Sequence, residues 1–399
     1  MPHTPVPVSE LSARIDRLRR AMSQRHPGWS MLLLENKIDL YYFTGTMQEG
    51  TLIVTPDLAT LFVRRSFDCA SRESLFPDLR PMSSFRDIRQ ALGEVPPTVY
   101  IAARTMTLQK LTLLQKHLPF APQPIDDVLS ELRAHKSEYE LCCMRRAGRL
   151  HQAVIENVAP SLLRRGVSEA RLCSEIFTCM LDHGAMGISR FNQPAAEDVL
   201  GVASFGENGL RASAIDSPSG NIGTCIAMKA IGSSERCLEV GDTVLLDIPC
   251  GFDGYHTDKS ITFYFGVLAK HPQGARIRAA HEQCVFLENE IASLMRPDAV
   301  PAEIYEKILT LVDPAFRDGF MNACKFLGHS IGLTMDETPV LARGFSTPLE
   351  QGMTIAVEPK IALDGIGLIG SENTYEIAAQ GPAQSLTGLS DTPFEITGP

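Results

Sequence analysis

The sequence contains no long apolar run and no leader-like segment. Its longest aliphatic runs are short pieces such as MLLL at 31–34, far below the ~20 residues that a membrane-spanning helix requires. The stretch 1–22 has no apolar core of the kind found in secretory signals. We therefore expect no membrane span, no secretory signal and a cytoplasmic location.

Paired cysteine spacings and basic clusters are also missing. The ten cysteines include no Cys-x-x-Cys motif and no disulfide framework, which predicts reduced thiols in a reducing compartment. The formal net charge is -10, and no Lys/Arg cluster offsets it. This charge argues against nucleic acid or an anionic membrane surface as a partner.

What is present is the composition of a globular protein, with 44% hydrophobic and 21% charged residues. The length of 399 residues allows two domains. Apolar residues at helical spacing over 11–22 predict a helix, 30–45 a buried strand followed by a turn, and 98–104 another strand. With a hairpin around Pro56-Asp57, these elements predict an α/β domain over 1–132.

A second domain is predicted over 137–399. Ser137 and Glu140 form a capping box at the start of a helix with one apolar stripe. The further predicted elements are a helix at 168–183, strands within 195–265, helices at 273–296 and 301–314, and strands within 352–379. Two helices followed by strands, twice over, predict an internally duplicated α/β domain.

The stretch DIPCGFDGYHTD at 247–258 is flanked by segments typical of strands. If Gly251 and Gly254 face each other at the turn, Asp247 and Asp258 also face each other across the ladder. Opposed side chains there have Cβ atoms ~5 Å apart, and like charges so placed are destabilising. The arrangement raises the question of what compensates the two acids.

A second stretch, TIAVEPKIALDGIGLIGSENTYEI, repeats the pattern. Asp364-Gly365 is a turn signal, and Glu358 and Glu372 are equally distant from Gly365. Four carboxylates buried together would repel one another, and two shared protons or two divalent cations would relieve that repulsion.

His329 in GHSIGL is the candidate imidazole for such a site. Carboxylates with an imidazole and no thiolate suit Mn, Fe or Co at least as well as Zn. Each acid taken singly is equally compatible with a solvated turn or strand-end residue. Their joint occurrence with His329 favours a metal site.

The five residues Asp247, Asp258, His329, Glu358 and Glu372 resemble the metal ligands of the pita-bread metallopeptidases. That family includes Xaa-Pro aminopeptidase, prolidase, methionine aminopeptidase and creatinase. The surrounding motifs DGYHTDKSITF, GHSIGL, GMTIAVEP and GSENT match it as well, and LRAHKSEYELCCMRRA resembles the segment that joins the two domains.

The resemblance implies a creatinase-like N-terminal α/β domain and a pita-bread catalytic domain with a curved mixed sheet and pseudo-twofold duplication. It also implies two divalent ions (Mn, Co, Fe or Zn) sharing a bridging water or hydroxide, Glu358 as a proton shuttle as well as a ligand, and a homodimer. The substrate would be a small peptide or a small-molecule amide.

The sequence departs from the family pattern at two histidines that orient the substrate carbonyl in relatives. One would follow a Gly-x-Asn stretch, but the positions near Ser213 hold no histidine; Asp336 stands in place of the other, before a retained Glu337. Losing such a group commonly costs ~100-fold in rate. Asp336 and Glu337 are therefore either substrate-facing residues or solvated loop acids. His256, two residues before Asp258, is either a substitute proton carrier or a partly exposed strand residue.

Three functions are compatible with these residues. The first is an Xaa-Pro aminopeptidase or dipeptidase. The second is a hydrolase of the same fold acting on a non-peptide small molecule, as in creatinase or ectoine hydrolase. The third is a non-catalytic binding module, which the retention of all five ligand positions disfavours.

Overall fold

The computed structural model describes residues 4–192, 197–198, 200–388 and 394–397. It divides into two units, Met1–Arg133 and Ala134–Pro399. Position 195, where the predicted strand region 195–265 begins, lies outside the described residues. Within the described ranges, no helix is both long enough and apolar enough to cross a membrane.

The first unit is a mixed six-stranded sheet with helices. Its helices are α1 (Val8–Arg25), α2 (Lys37–Thr44), α3 (Phe67–Glu73), α4 (Phe85–Leu92), α5 (Leu108–His117) and α6 (Asp126–Ala134). Its strands are β1 (Leu32–Leu34), β2 (Gly50–Val54), β3 (Ala59–Val63), β4 (Leu79–Pro81), β5 (Thr98–Ile101) and β6 (Ala121–Pro124). They pair in the order β4-β3-β2-β1-β5-β6. The predicted hairpin at Pro56-Asp57 is confirmed as β2–β3.

One prediction in this unit is wrong. The residues after β1 form helix α2 rather than a turn, because Asn36 caps its start by accepting the Ile38 backbone N–H. Gly45, at φ 75°, ends the helix in the left-handed region. Leu40, Tyr42 and Phe43 are buried in this helix, and a short apolar run does not by itself distinguish a buried helix from a buried strand.

The second unit contains two helix pairs. Its helices are α7 (Glu138–Gln152), which continues through a π-helical turn (Ala153–Val158) into α8 (Ala159–Leu162), α9 (Glu169–Asp182), α10 (Gly274–Leu294) and α11 (Pro301–Leu311). The capping box predicted at α7 is confirmed: Ser137 and Glu140 satisfy each other's backbone N–H groups.

The strands of the second unit form two main sheets. They are β7 (Ser189–Arg190), β8 (Glu197–Asp198), β9 (Val202–Phe205), β10 (Thr243–Asp247), β11 (Cys250–Phe252), β12 (Tyr255–Thr257), β13 (Ser260–Phe265), β14 (Phe326–Ser330), β15 (Glu337–Ala342), β16 (Thr354–Val357), β17 (Lys360–Leu363), β18 (Gly367–Gly370), β19 (Asn373–Glu376), β20 (Gln384–Ser385) and β21 (Glu395–Ile396). One sheet has the order β21-β13-β10-β9 and the other β15-β14-β16-β19-β20, while β11–β12, β17–β18 and β7–β8 are separate hairpins.

The two sheets meet at a backbone bridge between Ser260 and Glu372. The Ser260 N–H donates to the Glu372 carbonyl at 3.3 Å, and the Glu372 N–H donates to the Ser260 carbonyl at 3.0 Å. The first helix pair is followed by β10 and β13 with the hairpin β11–β12 between them, and the second by β16 and β19 with the hairpin β17–β18 between them. The predicted mixed α/β architecture is confirmed. The bridge places the ends of β10, β13, β16 and β19 next to one another.

The predicted register of the first hairpin is wrong by two residues. Gly251 pairs with His256 rather than with Gly254, and Asp247 pairs with Ser260. The turn residues are Asp253 and Gly254, both at positive φ (48° and 91°). A two-residue hairpin turn of this kind favours Asp-Gly, and that signal fixes the register. Asp247 and Asp258 therefore do not face each other across a ladder.

The predicted register of the second hairpin is confirmed. Val357 pairs with Asn373 in β16–β19, and Lys360 pairs with Gly370 in β17–β18. Glu358 and Glu372 lie between these two pairs, on opposite arms of the hairpin. The turn centres on Gly365, at φ 70°, as the Asp364-Gly365 signal predicts.

Between β9 and β10 the chain is mostly loop rather than strand. After a 3₁₀ turn at Gly206–Leu210, residues 211–242 contain no strand in the described structure. The composition of this stretch, with Ser, Gly and Pro close together, is typical of a loop.

Helix α7 supports the hairpin before Asp258 through a buried histidine. His151 is fully buried, and its Nδ1 lies 3.0 Å from the Thr257 hydroxyl. Burial, and secondarily the charge of Lys259, lower the pKa of His151 to about 3. The folded protein therefore holds this imidazole in the neutral form at pH values where the unfolded chain binds a proton.

We expect His151 to make the protein acid-sensitive. Because the folded pKa is lowered, the stability that the neutral ring provides is present above the unfolded pKa of ~6.5 and is lost as the pH falls toward the folded value. Between pH 7.5 and pH 5 the free energy of unfolding should fall by about 2 kcal/mol more in the wild type than in His151→Gln. Urea denaturation at both pH values measures this change, and His183→Gln, at an exposed histidine, is the control. An equal change in the free energy of unfolding for the wild type and His151→Gln would contradict the prediction.

Candidate metal centre

Two groups of side chains with metal-ligating atoms lie where the two sheets meet. Asp258, His329 and Glu372 form one set, and Asp247, Glu358 and Glu372 form the other. Within each set the ligating atoms lie within 4.8 Å of one another. The structure thus brings the five predicted residues together. It distributes Asp247 and Asp258 between the two sets, with Glu372 in both.

His329 is aimed by an irregular strand. The pairing of β14 with β15 shifts register on both sides of His329. Such shifts are typical of a β-bulge, which changes the direction of the side chain at that position. Gly328 permits the close approach of β14 to β16, because a Cβ there would lie 2.2 Å from the Ala356 carbonyl oxygen. His329 Nδ1 lies 3.1 Å from the Ser330 carbonyl oxygen, and its Nε2 lies 3.5 Å from Glu358 Oε1.

Glu372 has one satisfied and one orphaned oxygen. Its Oε2 accepts from Ser260 Oγ and from Lys360 Nζ. Its Oε1 is buried and has no hydrogen-bond partner among the residues that the structure describes. A buried carboxylate oxygen without a donor is costly. The Asp258–His329–Glu372 set, with two carboxylates and an imidazole, therefore fits a divalent cation.

A buried carboxylate on α10 fixes the strand that carries Glu372. Glu288 accepts from Asn373 Nδ2 at 2.6 Å, from the Tyr375 hydroxyl at 2.7 Å and from Ser371 Oγ. These donors flank Glu372 on both sides along the chain. Their shared acceptor holds the strand in place, as outer partners commonly do around metal ligands.

Lys360 is a buried cation inside the second set. Its Nζ lies 2.9 Å from Glu358 Oε2, 2.9 Å from Glu372 Oε2 and 3.5 Å from Asp247 Oδ2. Its side chain has no exposed surface. Sequence reasoning missed this residue, although a lysine two positions after Glu358 on a buried strand places both side chains on one face.

The electrostatics of the centre are those of crowded acids. Burial first, and then the charges of Glu372, Asp247 and Glu358, raise the pKa of Asp258 well above its usual range. Burial raises the pKa of Glu372 to about 8, with Lys360 opposing the shift and the neighbouring acids adding to it. A bound divalent cation would favour the charged form of these carboxyls and oppose both shifts.

A cavity of about 110 Å³ opens onto the two ligand sets. The acidic side chains that line it are Asp216, Asp247, Asp258, Asp336 and Glu358. His329, Phe191, Ser213 and Lys229 also line it. The two positions where relatives carry a histidine, near Ser213 and at Asp336, therefore face the same space as the ligands.

His256 is buried and bonded to backbone. Its Nδ1 lies 2.8 Å from the Gly332 carbonyl oxygen, and its Nε2 accepts from the Arg190 N–H at 3.3 Å. Burial lowers the pKa of His256 to about 4. His256 has no exposed surface, so the expectation of a partly exposed ring is wrong, and it is absent from the described residues that line the cavity.

Asp336 and Glu337 point to different places. Asp336 lines the cavity and accepts the backbone N–H of Asn192. Glu337 is buried, with one oxygen 3.3 Å from Lys136 Nζ and the other accepting from Thr334. The expectation that both are solvated loop acids is therefore wrong for Glu337.

Comparison with known proteins fits this geometry. The model of metallopeptidase family M24 matches residues 142–379, and the model of the creatinase/prolidase N-terminal domain matches residues 14–135. The chain belongs to metallopeptidase family M24. The predicted membership, and with it an enzyme of the metallohydrolase class, is confirmed.

Individual relatives in the family are distant but similar over their whole length. The Xaa-Pro dipeptidase of Pyrococcus furiosus is 23% identical over 381 residues, which cover 94% of this chain and 98% of that protein. The prolidase structure from Pyrococcus horikoshii has a TM-score of 0.76 at 19% identity, covering 94% and 98% of the two chains. Dipeptidase PepE from Mycobacterium ulcerans has a TM-score of 0.79 at 21% identity, covering 99% and 100%. These structures share the fold of this M24 chain.

Proposed function

We propose that the chain is a metal-dependent hydrolase that cleaves the C–N bond before proline in small peptides, as an aminopeptidase or dipeptidase. The observation that carries this proposal is the convergence of Asp247, Asp258, His329, Glu358 and Glu372 beside one small cavity. The M24 family and the names of its relatives, Xaa-Pro dipeptidase and prolidase, support the same reaction.

The proposed cofactor is a divalent ion bound by Asp258, His329 and Glu372. When bound, such an ion lowers the pKa of a water and polarises a scissile carbonyl. The buried, orphaned Glu372 Oε1 supports its binding at this set. Mn, Fe and Co suit two carboxylates and an imidazole at least as well as Zn does.

Glu358 is the proposed proton carrier. It lines the cavity although its side chain is almost wholly buried, and its Oε1 lies 3.5 Å from His329 Nε2. A carboxylate in that position takes a proton from the attacking water and gives it to the departing proline nitrogen. Its other oxygen is held at 2.9 Å by Lys360, which fixes the orientation of the group.

The remaining predicted residues take different proposed roles. Asp336 is proposed to contact the substrate from the cavity wall, where the family usually places a histidine. Glu337 and His256 are proposed as positioning residues, because their polar atoms are engaged with Lys136, Thr334, Gly332 and Arg190. A homodimer is also proposed, from the resemblance, and a cytoplasmic location, from ten cysteines that form no disulfide in the structure.

A second candidate function keeps the site and changes the substrate. The cavity is small, and beyond the ligand residues its wall carries Asp216, Asp336 and Lys229; Ser213 and Asp336 stand where the resemblance implies histidines. An acidic wall favours a substrate with positive charge. A hydrolase of cationic small amides or amidines, in the manner of creatinase, is therefore the alternative.

The test of the proposed function is a digest of a mixed peptide library that includes Xaa-Pro peptides, with added Mn, Co or Zn and mass-spectrometric detection. We expect loss of one amino-terminal residue before proline, and no such loss with Glu358→Ala. A protein that holds metal yet cleaves none of these peptides would contradict the peptidase, and the alternative would then be tested with small amides, ureido compounds and cyclic amidines.

A further inference from the structure

The two ligand sets differ in the cation that they can accept. The resemblance implies two divalent ions. The Asp258–His329–Glu372 set retains an orphaned oxygen, Glu372 Oε1. In the Asp247–Glu358–Glu372 set, an oxygen of each of the three carboxylates already lies within 3.5 Å of Lys360 Nζ. A divalent ion does not fit the second set while the ammonium is there.

We propose that Lys360 is a built-in cation that replaces the second metal ion, so that this M24 protein binds one divalent ion per chain. An ammonium provides three hydrogen-bond donors, and three carboxylates surround Nζ. A divalent ion at ~2.0–2.2 Å from the same oxygens would compete for their lone pairs and repel the ammonium in a site with little water. The inference rests on the proposed metal-dependent function and specifies its metal content.

The strand opposite Lys360 is shaped to hold the lysine stem. Lys360 pairs directly with Gly370 in β17–β18. A Cβ at position 370 would lie 2.7 Å from Lys360 Cγ and 3.2 Å from its Cδ. The glycine therefore leaves room for the lysine stem, whose ammonium lies between Glu358 and Glu372.

The Lys360 ammonium carries one positive charge where a divalent ion would carry two, and this difference affects the chemistry of the site. The ammonium compensates one of the carboxylate charges and orients Glu358, but it offers no open coordination position for water or for a carbonyl oxygen. Asp258, His329 and Glu372 would hold the one divalent ion, and that ion would supply the activation of water. Glu358 and Asp247 are left to act on protons and on the substrate.

The test is the metal content of the full-length protein, measured by native mass spectrometry and isothermal titration with excess Mn²⁺ or Co²⁺. We expect one ion per chain in the wild type, one in Lys360→Arg, and two in Lys360→Ala, in which the three carboxylates lose their cation. Circular dichroism and thermal melting verify that each variant is folded. Two ions in the wild type, or one ion in a folded Lys360→Ala, would overturn the proposal.

Two further variants locate the ion and keep the test decisive if Lys360→Ala does not fold. Asp247→Asn should retain one ion, whereas His329→Ala should lose it. The reverse pattern would place the ion at the Lys360 set and overturn the proposal. A wild type that binds no ion would instead contradict the proposed metal-dependent function, so the two failures are distinguishable.

Discussion

Replacing Glu372 by alanine is expected to remove metal binding and hydrolysis together. Glu372 belongs to both ligand sets, and its buried Oε1 is the oxygen that lacks a donor within the described structure. Without it, the ion at Asp258 and His329 has two protein ligands, fewer than the three that catalytic sites of this kind commonly use. Activity should fall by at least ~1,000-fold, since the ion generates the nucleophile.

Metal content by mass spectrometry and peptide hydrolysis measure this prediction on the same sample. Glu376→Gln is the matched control, because Glu376 lies on β19, the strand that directly follows Glu372, and forms a partly exposed ion pair with Arg145 at 2.8 Å. It should keep both properties, since Glu376 belongs to neither ligand set. Full activity in a folded Glu372→Ala protein would show that the reaction does not use this site.

Glu358→Gln is expected to separate chemistry from metal binding. The substitution keeps the size of the side chain and removes its capacity to carry a proton, which commonly costs ~100- to 10,000-fold in rate. Because Glu358 lies outside the Asp258–His329–Glu372 set, the variant should still bind its ion. The loss should appear in kcat, with KM for an Xaa-Pro peptide changed little.

Steady-state kinetics and metal analysis of Glu358→Gln, beside Glu350→Gln as a control, test this separation. Glu350 is an exposed carboxylate in the same unit, 3.5 Å from His135. Loss of the ion in Glu358→Gln would show that Glu358 is a required ligand. Retained kcat would show that another group carries the proton.

The sequence predicts the second hairpin correctly because its turn signal and its acids agree. Asp364-Gly365 fixes the centre, and Glu358 and Glu372 then lie opposite each other, as the flanking pairs show. In the first hairpin two glycines compete for the turn. Choosing the centre between Gly251 and Gly254 ignores the demand for positive φ at both turn residues, which Asp253-Gly254 meets.

The site depends on contacts that local patterns do not encode. The backbone bridge between Ser260 and Glu372 joins residues more than a hundred positions apart, and it is this bridge that brings Asp258 to Glu372. Glu288 reaches the same strand from a helix, where its sequence context predicts an ordinary helical acid. Such long-range contacts follow from the packing of the two sheets.

Lys360 illustrates what a family resemblance leaves out. A motif comparison considers the five ligand positions. It does not consider Lys360, which lies between Glu358 and the turn at Gly365. Strand alternation places Lys360 on the face of Glu358, and the glycine opposite makes the space for its stem. Strand alternation and the opposite glycine can both be read from the sequence once the register is known. The burial of Lys360 Nζ among three carboxylates cannot be read from the sequence.

The most direct test of the whole account is hydrolysis of an Xaa-Pro dipeptide by the chelator-stripped protein before and after Mn²⁺ is restored. The account predicts no cleavage without metal and cleavage that rises with added ion until about one equivalent per chain is bound. Cleavage that persists without metal, or a fully metal-loaded protein that leaves the dipeptide intact, would contradict it.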